Sequence, residues 1–165
     1  MNSPTIKMLI PTSVGKFLAH YSNNGLVELN FPHRYKLSGK NLEKNPQTPE
    51  IRKWHQTTIA ALKGMLAGKK VKKLPPLDPA GTEFQKSVWR EMRKIPSGKT
   101  RSYGEVAKAV GKPKAVRAVG GACGANPIPI FTPCHRVLAA NHKIGGFSSG
   151  LHWKRTLLAA EGVAI

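Results

Sequence analysis

Residues 82–126 read TEFQKSVWREMRKIPSGKTRSYGEVAKAVGKPKAVRAVGGACGAN, and the punctuation of this stretch decides the fold class. Thr82 with Gln85, and Ser102 with Glu105, have the capping-box form, in which an N-cap hydroxyl and a Glu or Gln three residues later satisfy each other's backbone donors. The first box opens a helix with Phe84, Val88, Met92 and Ile95 on one face, stopped by Pro96-Ser97-Gly98. The second opens a short helix through Val110. Gly111-Lys112-Pro113 is a tight turn, with Pro113 at the start of a third helix, KAVRAVGGACGAN. Two short helices around a glycine-containing turn predict a helix-turn-helix. Ala115, Ala118, Gly120, Gly121 and Ala122 leave the third helix almost bare of side chains. Two readings stand: close packing on a neighbouring helix, or close approach to an external surface. A helix reading the wide major groove would carry long base-reading side chains.

Upstream the pattern is different. TIKMLI (5–10), GKFLAHYS (15–22) and LVELNF (26–31) are short β-type runs, and Asn23-Asn24-Gly25 between the last two is a hairpin signal. From Thr48 to Leu66, Ile51, Trp54, Thr58, Ala61, Leu62 and Met65 recur at helical spacing, with Pro49 suited to a first turn. GKKVKKLPPLDPAG (68–81) combines four lysines with three prolines and continues neither period. The expectation is an α/β N-terminal domain over 1–76, a small antiparallel sheet plus one helix. A mainly helical C-terminal domain with the helix-turn-helix follows over 77–165.

The chain has 165 residues, 40% of them hydrophobic, enough for real cores and unlike a disordered basic tail. Its 27 Lys+Arg against 8 Asp+Glu give a formal charge of +19, spread as +9 over residues 1–80 and +10 over 81–165. A folded surface so charged attracts polyanions, nucleic acid first among them. Two cysteines, Cys123 and Cys134, make no disulfide framework or zinc cluster. No apolar run is long enough for a signal peptide core or a membrane span. These features predict a cytoplasmic protein without a membrane partner.

Asn126-Pro127-Ile128-Pro129-Ile130-Phe131-Thr132-Pro133-Cys134-His135-Arg136-Val137 carries the chemistry. Its three prolines predict an extended, stiff backbone presenting Cys134 at one place. A thiol becomes a nucleophile on ionisation, and the base is either His135 beside it or a carboxylate–histidine pair acting through water. Most Cys-His dipeptides are inert, and the rigid frame is what singles this one out.

PCHRV, preceded by NPIPI and followed by IGGFSSG, resembles the active-site signature of the O6-alkylguanine-DNA alkyltransferases. The resemblance continues through SYGEVA, GKPKAVRAVGGA and LLAAEG, one collinear run over about residues 81–162. Residues 1–80 share only the general α/β character of the family's N-terminal domain. The resemblance implies that Cys134 takes the alkyl group from O6-alkylguanine in double-stranded DNA, with O4-alkylthymine a second candidate substrate. The displacement is irreversible and single-turnover, needs no cofactor, and is performed by a monomer. His135 is the implied base through a bridging water, Glu161 orients it, and Asn126 braces the turn. The base must leave the duplex to be reached, and in the family it is flipped from the minor groove. Ala115, Ala118 and Gly120 match residues lying against that groove, with Lys114 beside them, and Arg117 matches the arginine that fills the vacated stack. Tyr103 matches the tyrosine that crowds the 3′ phosphate and donates to the flipped base. On composition alone Arg117 reads as a solvated charge and Tyr103 as a core aromatic. Gly145, Phe147 and the Ser148 backbone match the guanine pocket, Pro129 the alkyl contact, and the carbonyls of Cys134 and Val137 the acceptors of the guanine amino group.

Many relatives carry tyrosine at Phe147 and glycine at Ser149, a departure that bears on tolerated alkyl size. Cys123 is expected to be a packed thiol, and Lys69, Lys70, Lys72 and Lys73 a solvated linker. Without an N-terminal cysteine, the structural zinc of some relatives is not expected. The rivals are a non-reacting lesion binder, disfavoured by Cys134 with His135 and Glu161, and a general basic nucleic-acid binder.

Overall fold

The computed structural model describes residues 5–37, 42–44, 46 and 48–165. Three antiparallel strands, β1 (Ile6–Thr12), β2 (Gly15–Ser22) and β3 (Gly25–Asn30), form a meander in the order β1-β2-β3. The β2–β3 hairpin turns at the Asn-Gly step, pairing Ser22 with Gly25. Gly25 sits at φ 153° with the Pro76 carbonyl beside it, so close that an added Cβ would lie 2.4 Å from that oxygen. α1 (Pro49–Leu66) packs Ile51, Ala61 and Leu62 against Met8, Ile10, Phe17, Tyr21, Leu26 and Leu29 of the sheet. Alternating burial on β1, the more continuously buried β2 and helical burial on α1 thus meet in one apolar cluster.

The lysine- and proline-rich segment after α1 is pinned to the sheet. Leu26 N–H donates to Pro76 O (2.8 Å), Asp78 N–H to Leu26 O (2.7 Å), and Ser22 Oγ to the Asp78 carboxylate (2.6 Å). Lys69, Lys70, Lys72 and Lys73 remain exposed on it.

Both capping boxes form. Thr82 caps α2 (Glu83–Arg93) and Ser102 caps α3 (Tyr103–Ala109), each with its reciprocal side chain. Val88, Trp89 and Met92 of α2 are buried, and the Trp89 indole donates to Ala122 O at 2.8 Å. Ile95, placed on the helix by its spacing, is buried one residue beyond the Lys94 C-cap.

α4 (Val116–Gly124) starts later than expected. Gly111 at φ 75° ends the preceding helix, and Ala115 N–H bonds to Lys112 O, which leaves Pro113 inside the turn and Ala115 as N-cap. α4 packs on α2 and α3 through Val119, Ala122 and Cys123.

The Cys134 loop is not extended. Thr132 N–H reaches back to Ile128 O (3.0 Å), Pro129 bridges Thr132, and Ile130 takes φ 74°. Proline restricts its own φ and its predecessor's but does not prevent the residue between two prolines from reversing the chain. A single 3-10 turn, Cys134–Arg136, leads into β5 (Val137–Leu138), which pairs in parallel with β4 (Arg101–Ser102). α5 (Leu151–Ala160) closes the chain. Ile128, Ile130, Phe131 and Leu157 join the sheet cluster, so that core draws on residues from both sides of the proline-rich segment. No helix among the described residues is long and apolar enough to cross a membrane.

Candidate active site

Asn126 holds the loop that carries the cysteine. Its Nδ2 donates to Thr132 O (2.8 Å) and its Oδ1 accepts from Ile128 N–H (3.0 Å), while Cys134 N–H also donates to Thr132 O (2.8 Å). The loop is fixed from behind as well, where Leu29 N–H of β3 donates to Pro127 O at 2.9 Å. Pro129 is buried in it. Cys134 opens the 3-10 turn and is 7% exposed. Burial pushes its thiol up. The Asn126 side chain, the Lys154 charge and the backbone donors of Cys134 and His135 pull it back.

His135 is fully buried. Its Nε2 lies 2.9 Å from Glu161 Oε1, and its Nδ1 has no hydrogen-bond partner among the described residues. A carboxylate is acceptor-only, so Nε2 carries the proton and Nδ1 keeps a free lone pair. Burial lowers the imidazole pKa against the raising effect of Glu161, which keeps the ring neutral and able to accept a proton.

Glu161, the C-cap of α5, is the hub. Arg136 Nη2 reaches Oε1 at 2.7 Å, Arg136 Nε reaches both oxygens at 3.1 and 3.0 Å, and Gly98 N–H donates to Oε2 at 3.3 Å. Burial alone would raise this carboxyl, but the hydrogen bonds and charges of His135 and Arg136 hold it down to about 2. Arg136 Nη1 donates to Ile95 O (2.7 Å), anchoring the pair to the end of α2.

Tyr103, first residue of α3, is half-buried, and its hydroxyl oxygen would lie 3.1 Å from a Cβ added at Gly145. Gly145 is at φ 69°, so a side chain there would be strained and would press on the Tyr103 hydroxyl. Burial and the two cysteines raise the Tyr103 phenol, which stays protonated and able to donate. Phe147 bridges the two apolar clusters and meets Phe31 edge-on at 5.9 Å, while Ser148 is exposed. Val137 is buried on β5.

The sequence-predicted groups therefore separate into two sets. Cys134, His135, Glu161 and Asn126 are linked through the reactive turn, and Cys134, Tyr103, Phe147 and Val137 share one apolar cluster, with Gly145 against the Tyr103 hydroxyl. Lys114, Arg117 and Ala118 are exposed on or just before α4, with Ala115 and Gly120 half-exposed. An added Cβ at Gly120, Gly121 or Gly124 meets nothing within 4 Å. Close packing on a neighbouring helix thus explains Ala122, which is buried under Trp89, but not these glycines. Arg117 makes no hydrogen bond or ion pair among the described residues.

Two site residues were missed in the sequence. Arg136 lay within the quoted motif without a role, and Lys154 lay outside it. Lys154 is fully buried, and its Nζ donates to Val137 O (2.7 Å) and Gly146 O (3.0 Å). Its spacing with Leu151, Leu157 and Leu158 puts a lysine on the apolar stripe of α5, a signal available from helical periodicity alone. Cys123 is buried against Met92, its Sγ 3.5 Å from the Met92 Sδ, and burial raises its thiol to about 12. No three His, Cys, Asp or Glu side chains come together as a metal-holding group among the described residues.

Residues 83–163 match the family model described as 6-O-methylguanine DNA methyltransferase, DNA binding domain. A Methanosarcina acetivorans methylated-DNA–protein-cysteine methyltransferase is 41% identical over 155 residues, covering 93% of this chain and 96% of the relative. A Mycobacterium tuberculosis protein of the same name is 43% identical over 129 residues, 73% and 78% of the two chains. Among solved structures, Mycobacterium tuberculosis OGT in complex with DNA superposes with a TM-score of 0.79 at 35% identity, over 94% of this chain and 92% of that one. An O6-methylguanine DNA methyltransferase from Methanococcus jannaschii superposes at 0.69 and 29% identity, over 96% and 95%.

Proposed function

This chain belongs to the methylated-DNA–protein-cysteine methyltransferases, and we propose that Cys134 is the atom-level acceptor through which it repairs alkylated DNA. The observation that carries the assignment is the unpartnered Nδ1 of a buried, neutral His135 whose Nε2–H is held by Glu161, in the residue next to Cys134. That is a base with its proton-accepting lone pair left open and its tautomer fixed by a third group.

The thiol proton passes to His135 Nδ1 through a bridging water. The sulfur attacks the alkyl carbon of O6-alkylguanine, the S–C bond forms, the C–O bond breaks, and its electron pair stays with the guanine. The guanine then takes up one proton, so the net change is thiol plus alkylguanine to thioether plus guanine. Tyr103 donates to the departing base, and the thioether is stable, so each molecule acts once without a cofactor.

The target base has to be extruded from the duplex. α3 and α4 act as a helix-turn-helix whose second helix lies against the minor groove. Its bare surface at Ala118, Gly120 and Gly121 supports this, since no neighbouring element needs those positions empty. Arg117 enters the stack in place of the flipped base, with Lys114 on the backbone. Gly145, Phe147, the Ser148 backbone, Pro129 and the carbonyls of Cys134 and Val137 form the base and alkyl pocket. The N-terminal domain, residues 1–76, supports the catalytic domain, residues 77–165, from behind, a reading that the Leu29 N–H bond to Pro127 O supports.

Cys134→Ala tests the assignment. Transfer from an O6-methylguanine duplex is expected to vanish while duplex affinity stays within about twofold, because the change removes a nucleophile and not a phosphate contact. Loss of affinity together with transfer would make Cys134 a structural residue.

A further inference from the structure

Lys86, Arg90 and Arg93 stand at i, i+4 and i+7 of α2, on one face of the helix. With Leu77–Pro79 of the proline-rich segment and the buried Trp89, they line a cleft of about 240 Å³. Like charges one turn apart repel each other, and nothing in the cleft neutralises these. The Asp78 carboxylate, which also faces the cleft, accepts from Ser22 Oγ at 2.6 Å. Glu91 of the same helix pairs with Lys94 and Arg101. Lys86 and Arg90 make no hydrogen bond or ion pair among the described residues, and Arg93 Nη1 reaches only Thr132 Oγ1, at 3.5 Å. Burial and the Arg90 charge both lower the Arg93 guanidinium, a repulsion that no carboxylate of the cleft relieves.

Two guanidiniums and an ammonium on one cleft suit an anion that accepts several hydrogen bonds, and the guanidinium fork matches a pair of phosphate oxygens. The position of the cleft says which phosphate. Trp89 joins it to α4: the indole N–H donates to Ala122 O at 2.8 Å, and the other end of the ring lies against Gly81, where an added Cβ would come within 2.5 Å of it. One indole therefore separates the cleft from α4. That helix carries a single basic residue, Arg117, with Lys114 just before it, too few charges to hold a duplex by its backbone. We propose that the cleft is a second phosphate site, in which Lys86, Arg90 and Arg93 hold the phosphodiester backbone of the DNA that lies on α4. The site rests on the reading of α4 as a DNA-contacting helix and is independent of which atom accepts the alkyl group. Contacts of this kind set register and affinity without reading sequence.

The test is the affinity for undamaged duplex DNA as a function of salt, in wild-type protein, in Lys86→Gln/Arg90→Gln and in a charge-matched control. The control is Arg52→Gln/Lys53→Gln, at exposed positions of α1. Each variant loses one lysine and one arginine, so general attraction falls equally in both. Loss of two phosphate contacts is expected to lower the slope of log affinity on log salt by about 1.8, while the control keeps most of the wild-type slope. Equal slopes in the two variants, or a wild-type slope in Lys86→Gln/Arg90→Gln, overturn the proposal. Folding is checked by circular dichroism. Should the cleft variant not fold, the backbone amide signals of Asp78 and Gly81 are followed by nitrogen-15 NMR as duplex is added to wild-type protein. Shifts that saturate with binding are expected, and unmoved signals overturn the site. Signals that move with inorganic phosphate but not with duplex make it a small-anion site and overturn it as well. Duplex binding that leaves the cleft untouched refutes this site alone, whereas wild-type protein that binds no duplex refutes the reading of α4 and the site with it.

Discussion

Glu161 serves two buried neighbours at once, and removing its charge separates their contributions. Its side chain is 6% exposed and that of Arg136 8%, so Glu161→Gln leaves a guanidinium buried without its counter-ion. Breaking such a pair typically costs about 3–5 kcal/mol, and a loss of that order is expected in urea unfolding at neutral pH, together with slowed transfer. The pH dependence has a definite sign. The folded carboxyl sits at about 2 against an ordinary 4.5, so its contribution is complete above 4.5 and drains away as pH falls toward 2. The gap between wild type and Glu161→Gln is therefore expected to narrow over that window, and a gap independent of pH would show that the carboxylate's charge is not the stabilising agent. At this scale the sequence was legible where chemistry is concentrated in a motif, as for Cys134, His135 and Asn126. Arg136 was not, because a buried cation is recognised by its partners, and those come from the ends of α2 and α5; the place of Lys154 on the apolar stripe of α5 was legible, but its carbonyl partners on β5 and the glycine-rich loop were not.

Three glycines inside a nine-residue helix are a cost without a packing reason. Gly120 and Gly121 have open space where a side chain would stand, so Gly120→Ala is expected to stabilise the free protein by roughly 0.5–1 kcal/mol. If α4 lies against a groove, the same change weakens duplex binding. Unaltered affinity would remove α4 from the interface. Arg117→Ala, assayed alongside, is expected to slow transfer from duplex DNA far more than from free O6-alkylguanine base, since only the duplex requires extrusion. Equal losses on both substrates would count against a place in the stack. The helices were readable because capping boxes and periodicity are local, and Thr82, Gln85, Ser102 and Glu105 form the bonds their spacing promised. The Cys134 loop was misread as extended because its shape depends on Ile130 at φ 74° and on the Thr132-to-Ile128 bond, and proline content encodes neither. Pro113 was misplaced for a related reason: the turn of Gly111 uses three more residues before helical bonding resumes.

The whole molecule joins a supporting sheet to a reactive loop. Ile128, Ile130 and Phe131 are in the sheet's apolar cluster, and Leu29 N–H holds Pro127 O, so the strands fix the position of Cys134 from behind. Nothing periodic announces such long-range contacts, and the split into sheet and helices was legible where this dependence was not. The charge of +19, shared evenly along the chain, was legible from composition. Duplex binding is expected to weaken about tenfold or more for a fourfold rise in salt, as counter-ions released from phosphates are recovered. A flat dependence would mean the charge is not used on DNA. The central claim, that Cys134 itself takes the alkyl group once and for good, is tested most directly by intact-mass spectrometry after mixing the protein with a duplex carrying one O6-methylguanine. The account predicts a gain of one methylene's mass per protein, saturating at one and mapping to the Cys134 peptide. An unchanged mass on protein that binds the lesion tightly, or a gain mapping to Cys123, would contradict it.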